Sequence, residues 1–470
     1  MFELDFAYSA LLIICLLAAC SFEFVNGFHD TANAVATVIY TNSLKPWVAV
    51  IWSGFMNSMG VLYGGIAVAM GIVNLLPVES LVDQNITHSI CMVAALLLSA
   101  IFWNLLTWYL GIPCSSSHTL IGSILGVGIA YSFLPDAAST AVNWTKAEEI
   151  GISLLISPMV GFTLTIILMY LIRVTTKGKP YGEDLFKEPK KNTPPPPWIR
   201  GTLLLTCTSV SFFHGQNDGQ KGVGLIMLIL IGIVPGFFAL NANFDTTKLR
   251  EPISRIESVI STIDATPLSA PDREKLAAAK EMNADLHVTL DSIGSVNALP
   301  REARFKVRKD ILVMDRNLSE LMKKEEARVS ESDKKILKEN LKSVRKLTDY
   351  SPGWVIILIS VSLGLGTMIG WKRIVKTIGE KIGKEHLSYA QGASAELVAA
   401  STIGMSSYLG LPVSTTHVLS SGIAGSMVAN KGVKNLQPDT VRNILIAWFL
   451  TLPVVILMSG SLFLLFRAIF

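Results

Sequence analysis

The sequence predicts an all-α polytopic membrane protein of two inverted-topology repeats, with broken helices or re-entrant hairpins and a helical extramembrane insertion. Three observations predict it. The chain of 470 residues is 50% hydrophobic and only 16% charged, with a mean hydropathy of +0.48, whereas soluble proteins carry charge on about a quarter of their residues. Apolar runs such as Val93–Leu110 and Ile444–Phe466 approach or exceed the roughly 20 residues that a bilayer crossing needs. Two polar motifs also occur twice. NGFHDTANA (Asn26–Ala34) and HGQNDGQKG (His214–Gly222) align Gly27, Asp30 and Asn33 with Gly215, Asp218 and Lys221 at a separation of 188. PCSSSHT (Pro113–Thr119) aligns with PVSTTHV (Pro412–Val418) at a separation of 299.

Taken in order, the first half offers apolar segments at 7–42, 47–76, 88–112, 116–134 and 148–173. The second offers 200–240, 353–371, 387–411, 414–430 and 440–468. An odd number of segments per repeat turns the second copy upside down. The first segment contains Leu17-Ala18-Ala19-Cys20, which resembles a lipoprotein cleavage site. The residues before it carry Glu3 and Asp5 and no Lys or Arg, the wrong charge for a signal peptide, so a retained span is expected.

Charge orients the rest. The connector 173–200 holds Arg173, Lys177, Lys179, Lys187, Lys190, Lys191 and Arg200, and the loop 371–386 holds Lys372, Arg373, Lys376, Lys381 and Lys384. Both should be cytoplasmic, as should the stretch of Lys431, Lys434 and Arg442. The segment 77–87 has Glu79 and Asp83 without positive charge, which suits the outside. Both termini then fall outside, and 88–134 and 387–430 become either helical pairs or re-entrant hairpins. The domain reading is membrane repeat 1 at 1–174, a cytoplasmic Pro/Lys-rich linker at 175–199 and the start of repeat 2 at 200–240. An insertion follows at 241–351, and the remainder of repeat 2 takes 352–470. Pro194–Pro197 makes a stiff spacer. The insertion repeats apolar residues at helical spacing, as at Ile311, Met314, Leu318 and Leu321, and its charge runs read as solvated helix faces.

The net charge of +4 fits basic loops and implies no nucleic-acid surface. Cys15, Cys20, Cys91, Cys114 and Cys207 lie in or beside apolar runs without metal-ligand spacing and read as small packing residues.

Ionisable groups within membrane segments are costly and point to function. Asp30 and Asp218 stand at matching positions of the two halves. A carboxylate repels a bare anion in a low-dielectric site, but can hold Na⁺, a proton or a divalent metal. Asn26, Asn33, Asn217 and Gln220 beside them supply neutral oxygens and N–H donors. The motif glycines, Gly27 and Gly215 among them, would let the backbone unwind there. Ser115, Ser116 and Ser117 in one half, and Ser414, Thr415 and Thr416 in the other, each follow a proline and open an apolar helix, a helix N-terminus signal. Two such N-termini aimed at one point would bind an oxyanion, with Lys221 as the nearby positive charge. His29, His118, His214 and His417 are candidates to relay a proton, hydrogen-bond the anion or hold a break together. Glu23 and Glu396 are candidates for proton relay or for interhelical packing.

These motifs resemble those of the PiT family of inorganic phosphate transporters. The likeness rests on NGFHDTANAVATVIYT and FFHGQNDGQKGVGLIMLILIG, and on GIPCSSSHTLIG and GLPVSTTHVLSSGIAG, and it covers both membrane halves. One departure is Phe28-His29, where many members have Ala-Asn. The resemblance implies secondary active uptake of phosphate by alternating access in a bacterial inner membrane, with no enzymatic activity and a dimer as the expected oligomer. Ser115, Ser116, Ser414 and Thr415 would hold phosphate. Asp30, Asn33, Asn217 and Asp218 would hold the coupling cation or proton, with Lys221 as charge partner. Co-transport of H⁺ is implied, together with Mg²⁺ or another divalent ion in a neutral complex with phosphate. Na⁺ coupling or sulfate transport on the same fold is the alternative, and an anion channel is the alternative of another class. Against an enzyme, the chain lacks H-E-x-x-H and G-x-S-x-G, and neighbours such as Ser117-His118 on a helix point apart.

Overall fold

A computed structural model describes residues 4–76, 86–134, 142–190, 193–291 and 293–470, and every named element of regular structure among them is helical. Asp5–Ile229 and Ser351–Phe470 form one compact unit, and Leu230–Tyr350 lie in a second.

In the first unit, α1 (Phe6–Tyr40) starts at Asp5, whose carboxylate accepts the Tyr8 N–H at 2.9 Å. Helices α2 (Pro46–Tyr63) and α3 (Ala67–Val73) are bent by 76° around Gly65, whose φ of +77° a residue with a Cβ rarely adopts. Next come α4 (Ile86–Tyr109), α5 (Ser116–Ser132) and the long α6 (Trp144–Thr176). A short α7 (Pro180–Phe186) precedes α8 (Pro197–Ile233), whose last residues, with the single turn α9 (Pro235–Phe238), belong to the second unit. After the insertion the chain continues as α14 (Gly353–Thr367), α15 (Lys372–Glu380), α16 (Tyr389–Tyr408), α17 (Thr415–Lys431) and α18 (Pro438–Ile469). The ten apolar segments expected from sequence correspond to these helices, and 47–76 is divided by the bend. Among the described residues, α1, α4, α6 and α18 are long and apolar enough to cross a membrane, and the bent α2–α3 pair is a fifth candidate.

The packing is reciprocal. Helix α17 lies along α6, and α5 lies along α18. Each hairpin, α4–α5 or α16–α17, is therefore held by the last long helix of the other half. Gly126 of α5 faces the backbone of Ile456 in α18, and Gly425 of α17 faces the backbone of Phe162 in α6. These glycines are themselves 299 residues apart.

One expectation is corrected here. Helices α1 and α8 run unbroken through the Asp motifs instead of unwinding at the glycines. The missing side chains serve close helix approach. A Cβ on Gly27 would fall on the α14 backbone between Leu363 and Thr367, and one on Gly215 would fall on the α2 backbone at Asn57. Backbone cannot move aside as a flexible side chain can. Gly215→Ala should therefore destabilise the detergent-solubilised protein by about 1–3 kcal/mol, the usual cost of overpacking. Gly201→Ala on the same helix, where nothing lies within 4 Å, should leave the melting temperature unchanged or higher. Equal melting temperatures for the two variants would contradict this reading.

The second unit contains α10 (Arg250–Thr262), α11 (Ala270–Asp291), α12 (Arg301–Leu321) and α13 (Glu331–Arg345). Ile253, Ile256, Leu276, Ile311, Met314, Leu318, Leu337 and Leu341 share its core, so the helical spacing seen at 311–321 marks a buried face. Arg308 is fully buried. Its Nη1 donates to the carbonyls of Ala239 (3.0 Å) and Thr348 (2.9 Å), fastening together the two ends of the insertion. Burial pushes its pKa down to about 10, because a charged guanidinium loses hydration there.

Candidate functional site

The two hairpin tips are built alike. Gly111 (φ +69°) and Gly410 (φ +72°) turn the chain. Ser115 and Ser414 then cap α5 and α17, accepting the N–H groups of His118 (3.2 Å) and His417 (3.1 Å). A serine hydroxyl relieves the unpaired first-turn donors that every helix leaves. Ser115 Oγ also bonds His118 Nδ1 at 2.8 Å. The His118 and His417 rings meet with centroids 4.6 Å apart, and His417 stacks on Trp448 of α18 at 3.9 Å. Ser115–Ser117 and Ser414–Thr416 are all buried.

Asp30 of α1 joins the tips. Its Oδ2 accepts the Ser116 hydroxyl at 3.1 Å, and its Oδ1 accepts the Thr416 hydroxyl at 2.5 Å. One carboxylate therefore holds the first turn of a helix from each half. His29 Nδ1 lies 3.3 Å from Asp30 Oδ1, and its Nε2 lies 3.3 Å from Thr107 Oγ1 on α4. The corresponding residue of the other motif, Asn217, donates to Ser407 Oγ on α16 (3.0 Å) and to the Leu411 carbonyl (3.2 Å). In each half, the residue before the aspartate ties its helix to the first arm of a hairpin.

Asp218 takes a different partner. Lys221 Nζ donates to Asp218 Oδ1 (2.7 Å), Ser117 Oγ (2.5 Å) and the Val413 carbonyl (2.9 Å). The ammonium thus contacts both tips as well as its carboxylate. His214 stands between the acids, with Nε2 3.6 Å from both Asp30 Oδ2 and Asp218 Oδ2. The ligand atoms of Asp30, His214 and Asp218 lie within 4.8 Å of one another, all buried. Two carboxylates and an imidazole suit a divalent cation, and His214 Nε2 and Asp218 Oδ2 have no hydrogen-bond partner.

Other expected site residues sit elsewhere. Asn26 Nδ2 donates to Glu23 Oε2 at 3.2 Å. Gln220 seals the α2–α3 bend, accepting from Val68 N (2.8 Å) and donating to the Gly64 carbonyl (2.7 Å). Glu396 accepts the Thr206 hydroxyl at 2.5 Å, between α16 and α8. The Asn33 side chain lies outside the described residues. Sequence reasoning passed over Asn57, Thr107, Thr367 and Trp448. It screened membrane segments for ionisable residues, and a search for lone amides would have found Asn57 in its apolar run.

The electrostatics follow from this geometry. Two buried carboxylates face one ammonium and the partial positive charge of two helix N-termini. The donors able to grip an oxyanion (Ser116, Thr416 and Lys221) are here engaged with the carboxylates.

Residues 26–459 match the phosphate transporter family. The low-affinity inorganic phosphate transporter PitA of Escherichia coli is 40% identical over 491 aligned positions, covering 98% of this chain and 97% of that one. PitB of the same organism is also 40% identical, with the same coverage. A probable low-affinity inorganic phosphate transporter of Bacillus subtilis is 29% identical, covering 94% and 92% of the two chains. A solved structure described as the sodium-dependent phosphate transporter shares the fold, with a TM-score of 0.57 at 19% identity, and covers 98% of this chain and 100% of that one.

Proposed function

Since the chain belongs to the phosphate transporter family, we propose that it takes up inorganic phosphate across a bacterial inner membrane by H⁺ symport with alternating access. The observation that supports this reading best is the double grip of Asp30 on Ser116 and Thr416. Those hydroxyls serve either the carboxylate or an incoming oxyanion. A proton or metal ion on Asp30 weakens its hold on them and frees them for phosphate. Cation and anion binding are thereby coupled through shared donors, and such coupling is reciprocal.

A phosphate dianion in a closed site needs its charge offset. Lys221 supplies one charge, and the Asp30–His214–Asp218 gap offers room for a divalent ion carried with phosphate as a neutral complex. The reciprocal grip of each hairpin by the other half's last helix is what two inverted repeats would produce, and rocking of one half against the other would expose the tips to either side.

The test is uptake and counterflow of labelled phosphate by the reconstituted chain, with H⁺, Na⁺ and Mg²⁺ varied independently. Accumulation driven by an acid exterior and abolished by a protonophore is expected. Accumulation driven only by a Na⁺ gradient would replace the coupling ion, and equilibration without accumulation would make the protein a channel. Equal rates with and without Mg²⁺ would remove the metal complex. Ser116→Ala or Thr416→Ala should raise the phosphate concentration for half-maximal uptake about tenfold, as for one lost hydrogen bond to a charged group. An unchanged value in both would take the hydroxyls out of the anion site.

A further inference from the structure

We infer that Asn57, held by Thr367, is a positioning residue that fixes the His214 ring with Nε2 aimed between Asp30 and Asp218. It thereby sets how tightly that gap takes a cation. The inference rests on the transport reading of the same site and adds to it a residue that makes no contact with either carboxylate.

The chain of hydrogen bonds runs across three helices. Thr367 Oγ1 on α14 donates its only proton to the Leu363 carbonyl at 2.8 Å. Toward Asn57 it can then only accept, and Asn57 Nδ2 donates to it at 2.8 Å. This fixes which end of the amide faces the other way. Asn57 Oδ1 lies 3.0 Å from His214 Nδ1, and a carbonyl oxygen can only accept. His214 Nδ1 therefore carries a hydrogen, and Nε2 is the nitrogen left to face the acids, 3.6 Å from each. Imidazoles that serve a cation are commonly oriented in this way by a partner on their other nitrogen.

The arrangement is rigid. Asn57 and Thr367 are buried, and Gly215, next to His214, packs directly on the backbone of Asn57. Each of the three residues is on a different helix, so the ring angle is set by how α2, α8 and α14 pack. Without the amide, the ring could rotate about its χ angles or place its hydrogen on the other nitrogen, and the third donor atom would leave the gap.

The experiment is phosphate counterflow by the reconstituted full chain, with Mg²⁺ titrated at fixed pH and saturating phosphate. Asn57→Leu should raise the Mg²⁺ concentration for half-maximal exchange about tenfold or more, the usual effect of losing such a partner. The phosphate concentration for half-maximal exchange at saturating Mg²⁺ should stay at the wild-type value. Asn57→Asp, which keeps an acceptor at nearly the same volume, should stay within about threefold of wild type by the same reasoning. Thr367→Val, which frees the amide to turn over, should shift Mg²⁺ dependence in the direction of Asn57→Leu and serves if that variant does not fold.

A loss confined to maximal rate, with wild-type Mg²⁺ dependence in Asn57→Leu or Thr367→Val, would overturn the inference. So would an Asp variant shifted as far as the Leu variant. Failure of the wild-type chain to exchange phosphate would instead sink the transport reading, and exchange insensitive to Mg²⁺ in the wild type would sink the inference alone.

Discussion

Asp30→Asn should abolish concentrative phosphate uptake, lowering the initial rate at least about a hundredfold, while the protein remains in the membrane at wild-type abundance. The substitution keeps the shape of the side chain and removes its charge. In the structure Asp30 accepts hydroxyl protons from both hairpin tips, with His29 and His214 beside it. An amide has one acceptor oxygen in place of two and presents an NH₂ group to the other donor. One tip hydroxyl then loses its partner, and the cation loses a charged ligand. The measurement is labelled phosphate accumulation by cells or vesicles, normalised to protein in the membrane. Wild-type accumulation by the Asn variant would remove the cation role of Asp30.

Lys221→Met should have the second largest effect, acting on stability as well as transport. Lys221 Nζ is buried against Asp218 at 2.7 Å and also reaches Ser117 and the Val413 carbonyl. Methionine fills similar space but leaves Asp218 as an uncompensated buried charge. Removing one partner of such a pair costs about 3–5 kcal/mol, enough to lower the thermal midpoint of the solubilised protein by many degrees. Adding Asp218→Asn should recover much of that stability, because the stranded charge is gone. It should not recover transport, because the positive charge offered to phosphate is gone too. If the single and double variants melt together, leaving the Asp218 charge without its ammonium costs no stability, and that explanation of the loss fails.

Much of this was legible in the sequence because it is local. The ten apolar segments, the helix starts at Ser115 and Ser414, and the helical spacing around Met314 all depend on residues within a turn or two of each other. The doubled motifs also identified the residues that meet at Asp30 without any knowledge of the fold. The glycines misled for a physical reason. Glycine frees a backbone to unwind, and it also frees a helix to approach another closely. Sequence spacing does not distinguish these uses, and the packing of α1 on α14 and of α8 on α2 selected the second.

The rest needed three dimensions. Asp30 and Ser116 are 86 residues apart, and Asp30 and Thr416 are 386 apart; no local rule relates them. Asn57, Thr107 and Trp448 matter only because helix crossings bring them beside a histidine, and Thr367 because it holds Asn57. The sequence alone determined the membrane class, the doubled motifs and the residue types that meet around Asp30, since hydropathy, period and capping act over short range. Only the tertiary structure decided which donor meets which carboxylate and which way His214 faces. Those choices are made by side chains interlocking between helices distant in the chain.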